Sequence, residues 1–152
     1  MLQPLLNPDD EPWVNMIGRY MINMGNVDMM TRLLGLKIKG SDRDPIYSSE
    51  LSLRIGFIKN SFPRAHRDRH AWAMNVLKVA AKHAGFRNIV AHSALAITKN
   101  EMGAPTIQGL LALTPKDPDN FGKLVSMEEL TGRVNESTAI GRALMEMQND
   151  FN

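Results

Sequence analysis

Residues 64–92 read RAHRDRHAWAMNVLKVAAKHAGFRNIVAH. Trp72, Val76, Val79 and Ala80 fall at helical spacing in this stretch, which therefore predicts a long helix with a basic start. Its last turns carry FRNIVAHSA, residues 86–94, in which Arg87 and Asn88 are followed by His92. On a helix at ~100° per residue, Asn88 and His92 lie four apart and face the same way, and His83 precedes Arg87 by one turn. Polar groups thus gather at one helix end. Two readings of them are open: solvated side chains that favour the last carbonyls, where cations are stabilised, or a site that contacts phosphate.

Upstream the pattern is helical as well. NPDDEPW, residues 7–13, offers Asp9 or Asp10 as a cap for free helix amides and Pro12 for the first turn. Trp13, Ile17, Tyr20, Met24, Val27 and Leu34 then form one helical face, which predicts a long first helix ending near Gly35. The polar stretch KGSDRDP separates it from YSSELSLRIGFIKNSFP, where Leu51, Ile55 and Ile58 share a face and Pro63 stops the run. Downstream, ALAIT and IQGLLALT are short and apolar with partial alternation, and KNEMGAP between them holds Gly103 and Pro105. A hairpin with a longish loop fits. After the turn-rich PKDPDNFG, Ser126 and Glu129 stand at capping-box spacing and open a last helix whose buried face is Ile140, Leu144, Met147 and Phe151. The fold class expected is all-α: an antiparallel bundle of four or five helices with a short β-hairpin or extended insertion before the last one.

At 152 residues the chain fits one domain, 1–152, long enough for a core without disulfides. It is 43% hydrophobic and 22% charged, too apolar for a disordered chain. The absence of cysteine excludes a disulfide framework and a thiolate zinc site, and points to a cytoplasmic setting. No segment approaches bilayer length, so no membrane partner is expected. A net charge of +2 is too small to argue nucleic-acid binding from bulk charge, so local clustering must supply it. The densest basic cluster is Arg64, His66, Arg67, Arg69 and His70, read either as a solvated helix start or as a phosphate-tracking patch. His66 and His70 lack a third ligand nearby in sequence, so no metal or other cofactor is expected. The 11 methionines read as core filling, as do Trp13 and Trp72. Asp28 is a candidate second partner for Arg87 if the helices align.

FRNIVAHSA resembles the Arg-Asn-x-x-x-His signature of HEPN domains, all-helical modules many of which are metal-independent endoribonucleases in toxin–antitoxin, abortive-infection and CRISPR-linked systems. In that family the motif closes the third helix of a four- or five-helix bundle, with a short insertion before the final helix, and the element order here is similar. The resemblance implies Arg87, Asn88 and His92 as catalytic residues, RNA as substrate, a homodimer that places two motifs across its interface, and an antitoxin or defence-system protein as partner. His83, Arg64, Arg67 and Arg69 would then bind substrate. A catalytically inactive HEPN-like bundle that binds RNA, a nucleotide or a protein is the alternative it leaves open. The tyrosine found two positions after the histidine in nucleotidyltransferase-paired members is Ala94 here, so regulation by adenylylation is not implied. The chemistry agrees with the resemblance: metal-free RNA cleavage needs an acid, a base and positive charge on the phosphate, and an imidazole near its ordinary pKa of ~6.5 and a bidentate guanidinium can supply them.

Overall fold

The computed structural model describes residues 2–4, 10–92, 94–98, 109–113 and 123–151, with backbone alone at 2–4, 92, 94–98, 109–113, 123 and 124. In chain order the elements are β1 (Leu2–Pro4), α1 (Glu11–Lys39), α2 (Pro45–Ser48), α3 (Leu51–Ser61), α4 (Arg67–His92), β2 (Ala94–Thr98), β3 (Gly109–Leu113), β4 (Lys123–Ser126) and α5 (Met127–Met147), closed by a 3₁₀ turn at Gln148–Asp150. The fold is mostly helical, as the apolar periodicities require. The residues gather into two compact units, Met1–Met21 with Phe86–Asn135, and Ile22–Gly85 with Glu136–Asn152.

The first unit holds the extended segments. β2 and β3 pair antiparallel with Ala94 opposite Leu113, which is the expected hairpin; its loop, with Gly103 and Pro105, lies outside the described residues, as does PKDPDNFG. Two further strands were not foreseen. β1 adds to β2 with Leu2 opposite Thr98, and β4 adds to β3 with Gly109 opposite Ser126, so the sheet order is β1-β2-β3-β4. Pro4 has no amide hydrogen to donate to a ladder, and it stands in an edge strand, where that lack is tolerated. The unit buries Trp13, Tyr20, Phe86, Val90, Val125, Leu130 and Val134. The α5 cap is as expected: the Glu129 amide donates to Ser126 Oγ at 3.0 Å. The α1 cap is not. Asp10 is fully buried, and neither carboxylate oxygen has a hydrogen-bond partner among the described residues. Pro12, inside the first turn, has no amide hydrogen to give it.

The second unit is helical throughout. Met24, Val27 and Leu34 of α1, Ile55 and Ile58 of α3, Ala73, Leu77, Ala80 and Ala84 of α4, and Ile140, Leu144 and Met147 of α5 form its core. The stripe on α4 holds at Ala80, which is buried as expected, but Trp72, Val76 and Val79 are only half-buried, and Ala73, Leu77 and Ala84 face inward instead. α1 also runs past Gly35 and stops at Gly40, whose φ of 75° is open to glycine at little cost and whose amide donates to the Leu36 carbonyl at 2.6 Å. At Gly35 a Cβ would stand 3.6 Å from Cγ2 of Ile46, an ordinary van der Waals distance, so the helix passes this glycine without a break.

Buried polar groups in this unit are matched. The Arg54 side chain is fully buried, and Nε donates to Thr31 Oγ1 at 3.0 Å, Nη1 to the Ser49 carbonyl and Nη2 to Asp28 Oδ1. The other Asp28 oxygen accepts from Arg32 Nε at 2.9 Å, and Arg32 Nη1 donates to the Tyr47 carbonyl at 2.8 Å. One carboxylate thus holds two guanidinium groups and ties α1 to α2 and α3. Burial pushes the Arg54 pKa below the ordinary arginine value, while Asp28 works in the opposite direction.

Candidate functional site

The motif occupies the last turns of α4, in the first unit. Phe86 and Val90, four residues apart, are buried, and so fix the side of the helix that faces inward. Phe86 makes an edge-on contact with Tyr20 at 5.3 Å between ring centroids, and the guanidinium carbon of Arg133 lies 3.8 Å above the Phe86 ring. Arg133 is aimed there by Glu129, one turn earlier on α5, which accepts from Nε at 3.3 Å and from Nη2 at 3.1 Å. Two elements, α1 and α5, therefore hold the residue immediately before the motif.

Arg87 and Asn88 project from this anchored turn. Arg87 is half-buried and Asn88 exposed, and Arg87 Nη1 donates to Asn88 Oδ1 at 3.2 Å. No carboxylate pairs with Arg87 among the described residues. Asp28, considered as its partner, is committed to Arg32 and Arg54 in the other unit. His92 is the last residue of α4, and its side chain lies outside the described residues. Five helical positions separate Arg87 from His92, about 140° around the axis.

The remaining candidates sit in the second unit and divide. His83 is not a surface group for substrate: it is buried, 1% exposed, and its Nε2 lies 2.7 Å from Oε1 of Glu136. The inward stripe of alanines carries it into the core, where a hydrogen-bond partner is obligatory for a buried imidazole. Arg69 is likewise no free phosphate contact. It bridges Asp150, at 2.9 and 3.0 Å, and Glu146, at 2.6 Å, with its guanidinium 4.0 Å above the Trp72 ring. Those carboxylates come from the far C-terminal end of the chain, beyond the reach of local sequence reading. Arg64 and Arg67 are exposed and carry no ion pair among the described residues.

Sequence reading missed Arg133 and Glu136. The Glu129–Arg133 pair is visible as an i,i+4 spacing, but nothing local says that it caps Phe86. Among the described residues no group of three His, Cys, Asp or Glu side chains is placed to hold a metal, and no helix is long and apolar enough to cross a membrane. A groove of about 330 Å³ runs beside Asn23, Ser137, Thr138 and Arg142, all in the second unit, and contains none of the motif residues. No protein-family model, curated protein or solved structure matches the chain.

Proposed function

We propose that the protein is a metal-independent endoribonuclease of HEPN type that acts as a homodimer in a toxin–antitoxin or phage-defence setting. The observation that carries the reading is the Arg87–Asn88 pair: a guanidinium bonded to a side-chain amide at 3.2 Å, on a turn fixed by Phe86 and Val90. A guanidinium held by an amide keeps its full charge and most of its donors for a phosphate, whereas one held by a carboxylate does not. Arg87 stabilises the phosphate as charge builds on it, Asn88 holds Arg87 and orients the nucleotide, and His92 moves the proton.

Each chain brings one motif histidine, and cleavage needs both an acid and a base, so the second comes from the partner subunit's motif. Two coupled imidazoles give a rate that peaks between two apparent pKa values belonging to the pair. Incubation of the purified protein with total RNA in EDTA tests the proposal. Fragments ending in 2′,3′-cyclic phosphate, lost in His92→Ala while the helical circular-dichroism spectrum persists, are the expected result. Intact RNA overturns the nuclease reading, and a chain that cleaves as a monomer at every concentration overturns the shared site.

A further inference from the structure

α4 carries no acidic residue after Asp68, and four basic residues on it and just before it, Arg64, Arg67, Lys78 and Lys82, are exposed. All four belong to the second unit, and none has an ion pair among the described residues. On the helix Lys78 lies about 20° and Lys82 about 60° around from Arg67, so the three share one face over roughly 22 Å of axis. The other exposed positions along that face are Ala71, Asn75, Ala81 and Gly85, with half-buried Met74 between them and Asp68 the one acid at its edge, beside Arg67. On a different side of the helix, Arg69 is clamped to Asp150 and Glu146, and the inward alanines and Leu77 are buried. The helix beneath the face is thus held in place, and the face itself is cationic.

We infer that this strip binds the phosphate backbone of an RNA strand, apart from the turn that carries Arg87 and Asn88. Neutral small residues between the cations leave room for a polyanion that lies along the helix. A lipid surface would need large, exposed apolar side chains on the same face to enter the bilayer interface, and its exposed positions carry none. Lysine and arginine contacts to phosphate read charge and not bases, so the strip confers length and salt dependence without sequence preference. The choice of RNA rests on the proposed ribonuclease activity; the presence of a polyanion site does not.

Fluorescence anisotropy of a labelled oligouridylate, titrated with the His92→Ala chain over a series of KCl concentrations, tests the inference without cleavage. Four contacts on a single strand predict a slope of log K against log salt of about −3, at ~0.7 per contact. The added pair Lys78→Gln and Lys82→Gln should halve that slope and weaken binding on the order of tenfold at ~0.1 M salt, with the melting temperature unchanged. The strip is overturned if the doubly substituted chain binds with its parent's affinity and slope, if the parent does not bind, or if the parent prefers phosphatidylserine vesicles to RNA. The two proposals fail separately. A wild-type chain that binds with the expected slope but leaves RNA intact in EDTA loses the nuclease and keeps the strip, whereas cleavage with strip variants that bind normally does the reverse.

Discussion

Arg54 and Arg87 are chemically the same group in opposite circumstances. Arg54, in the second unit, is sealed from solvent and meets Asp28, Thr31 and the Ser49 carbonyl, so that its charge and donors are used. Arg87, in the first unit, is half-exposed and spends one donor on the neutral amide of Asn88. A protein that only needs an arginine to hold helices together pairs it with a carboxylate, as it does for Arg32, Arg54, Arg69 and Arg133. Arg87, held by an amide, keeps its charge uncancelled by a carboxylate among the described residues.

The comparison breaks most readily at Asp28. Its replacement by Ala leaves a buried guanidinium without a counter-charge, and is expected to cost about 3–5 kcal/mol of unfolding free energy. Replacing Arg54 by Met, which removes the charge and fills most of the space, should cost much less, because a buried ion pair offers little over an apolar substitute. Chemical denaturation of the two variants measures both. Equal losses would mean that the ion pair itself stabilises the fold beyond what an apolar side chain of similar volume supplies.

At Arg87 the expectation reverses. Arg87→Ala should change stability by no more than about 0.5 kcal/mol, as at a surface site, yet raise the cleavage barrier by roughly 2–4 kcal/mol, the range for losing one charge-stabilising donor. Single-turnover rates beside denaturation curves check the pair of values. A variant that melts early and cleaves normally would make Arg87 another structural arginine. Between these lies Arg133→Met, which removes the cation above Phe86 but keeps an unbranched chain on the ring. About 1 kcal/mol of stability should be lost, the scale of a part-buried cation–π contact, with a smaller fall in cleavage than for Arg87→Ala.

How far the sequence reveals this division follows from the range of each interaction. Helices with large apolar residues on one face are legible: Tyr20, Met24, Val27 and Leu34 are buried as their spacing predicts, and so are Ile140, Leu144 and Met147. α4 is harder to phase, because its inward residues are mostly alanines, whose small side chains give little periodic signal beside Trp72, Val76 and Val79. The larger residues sit at the flanks of the contact, and Trp72 is covered by Arg69 instead. That shift of one position is also what sends His83 inward to Glu136. β1 and β4 are short and pair with strands distant in sequence or reached through a turn-rich segment, so neither alternation nor turn chemistry announces them. At the site, the neighbours Arg87 and Asn88 are legible from their motif, whereas Arg133 above Phe86 depends on the meeting of two helices.

The mildest test uses the second guanidinium–carboxylate cluster. Arg69 has the short contacts of Arg54, 2.6 Å to Glu146 and 2.9 Å to Asp150, but its side chain is 30% exposed and that of Glu146 is 59% exposed. Water there already solvates both charges, so little is gained by bringing them together. The hydrogen bonds from Asp150 and Glu146 hold the Arg69 pKa above the ordinary arginine value. A raised folded-state pKa means that the contribution is fully present below the ordinary arginine range and is lost only as pH climbs through the higher folded value. The Arg69 titration is therefore silent across neutral pH, and salt is the variable that exposes the interaction. Glu146→Gln should lower the melting temperature slightly at low ionic strength, and the difference should vanish at high salt as the exposed pair is screened. Asp28→Ala should keep its deficit at every salt concentration, because Arg54 is sealed from the ions. If both deficits faded together, burial would not be what separates the two clusters, and the contrast between Arg54 and Arg87 would lose its physical basis as well.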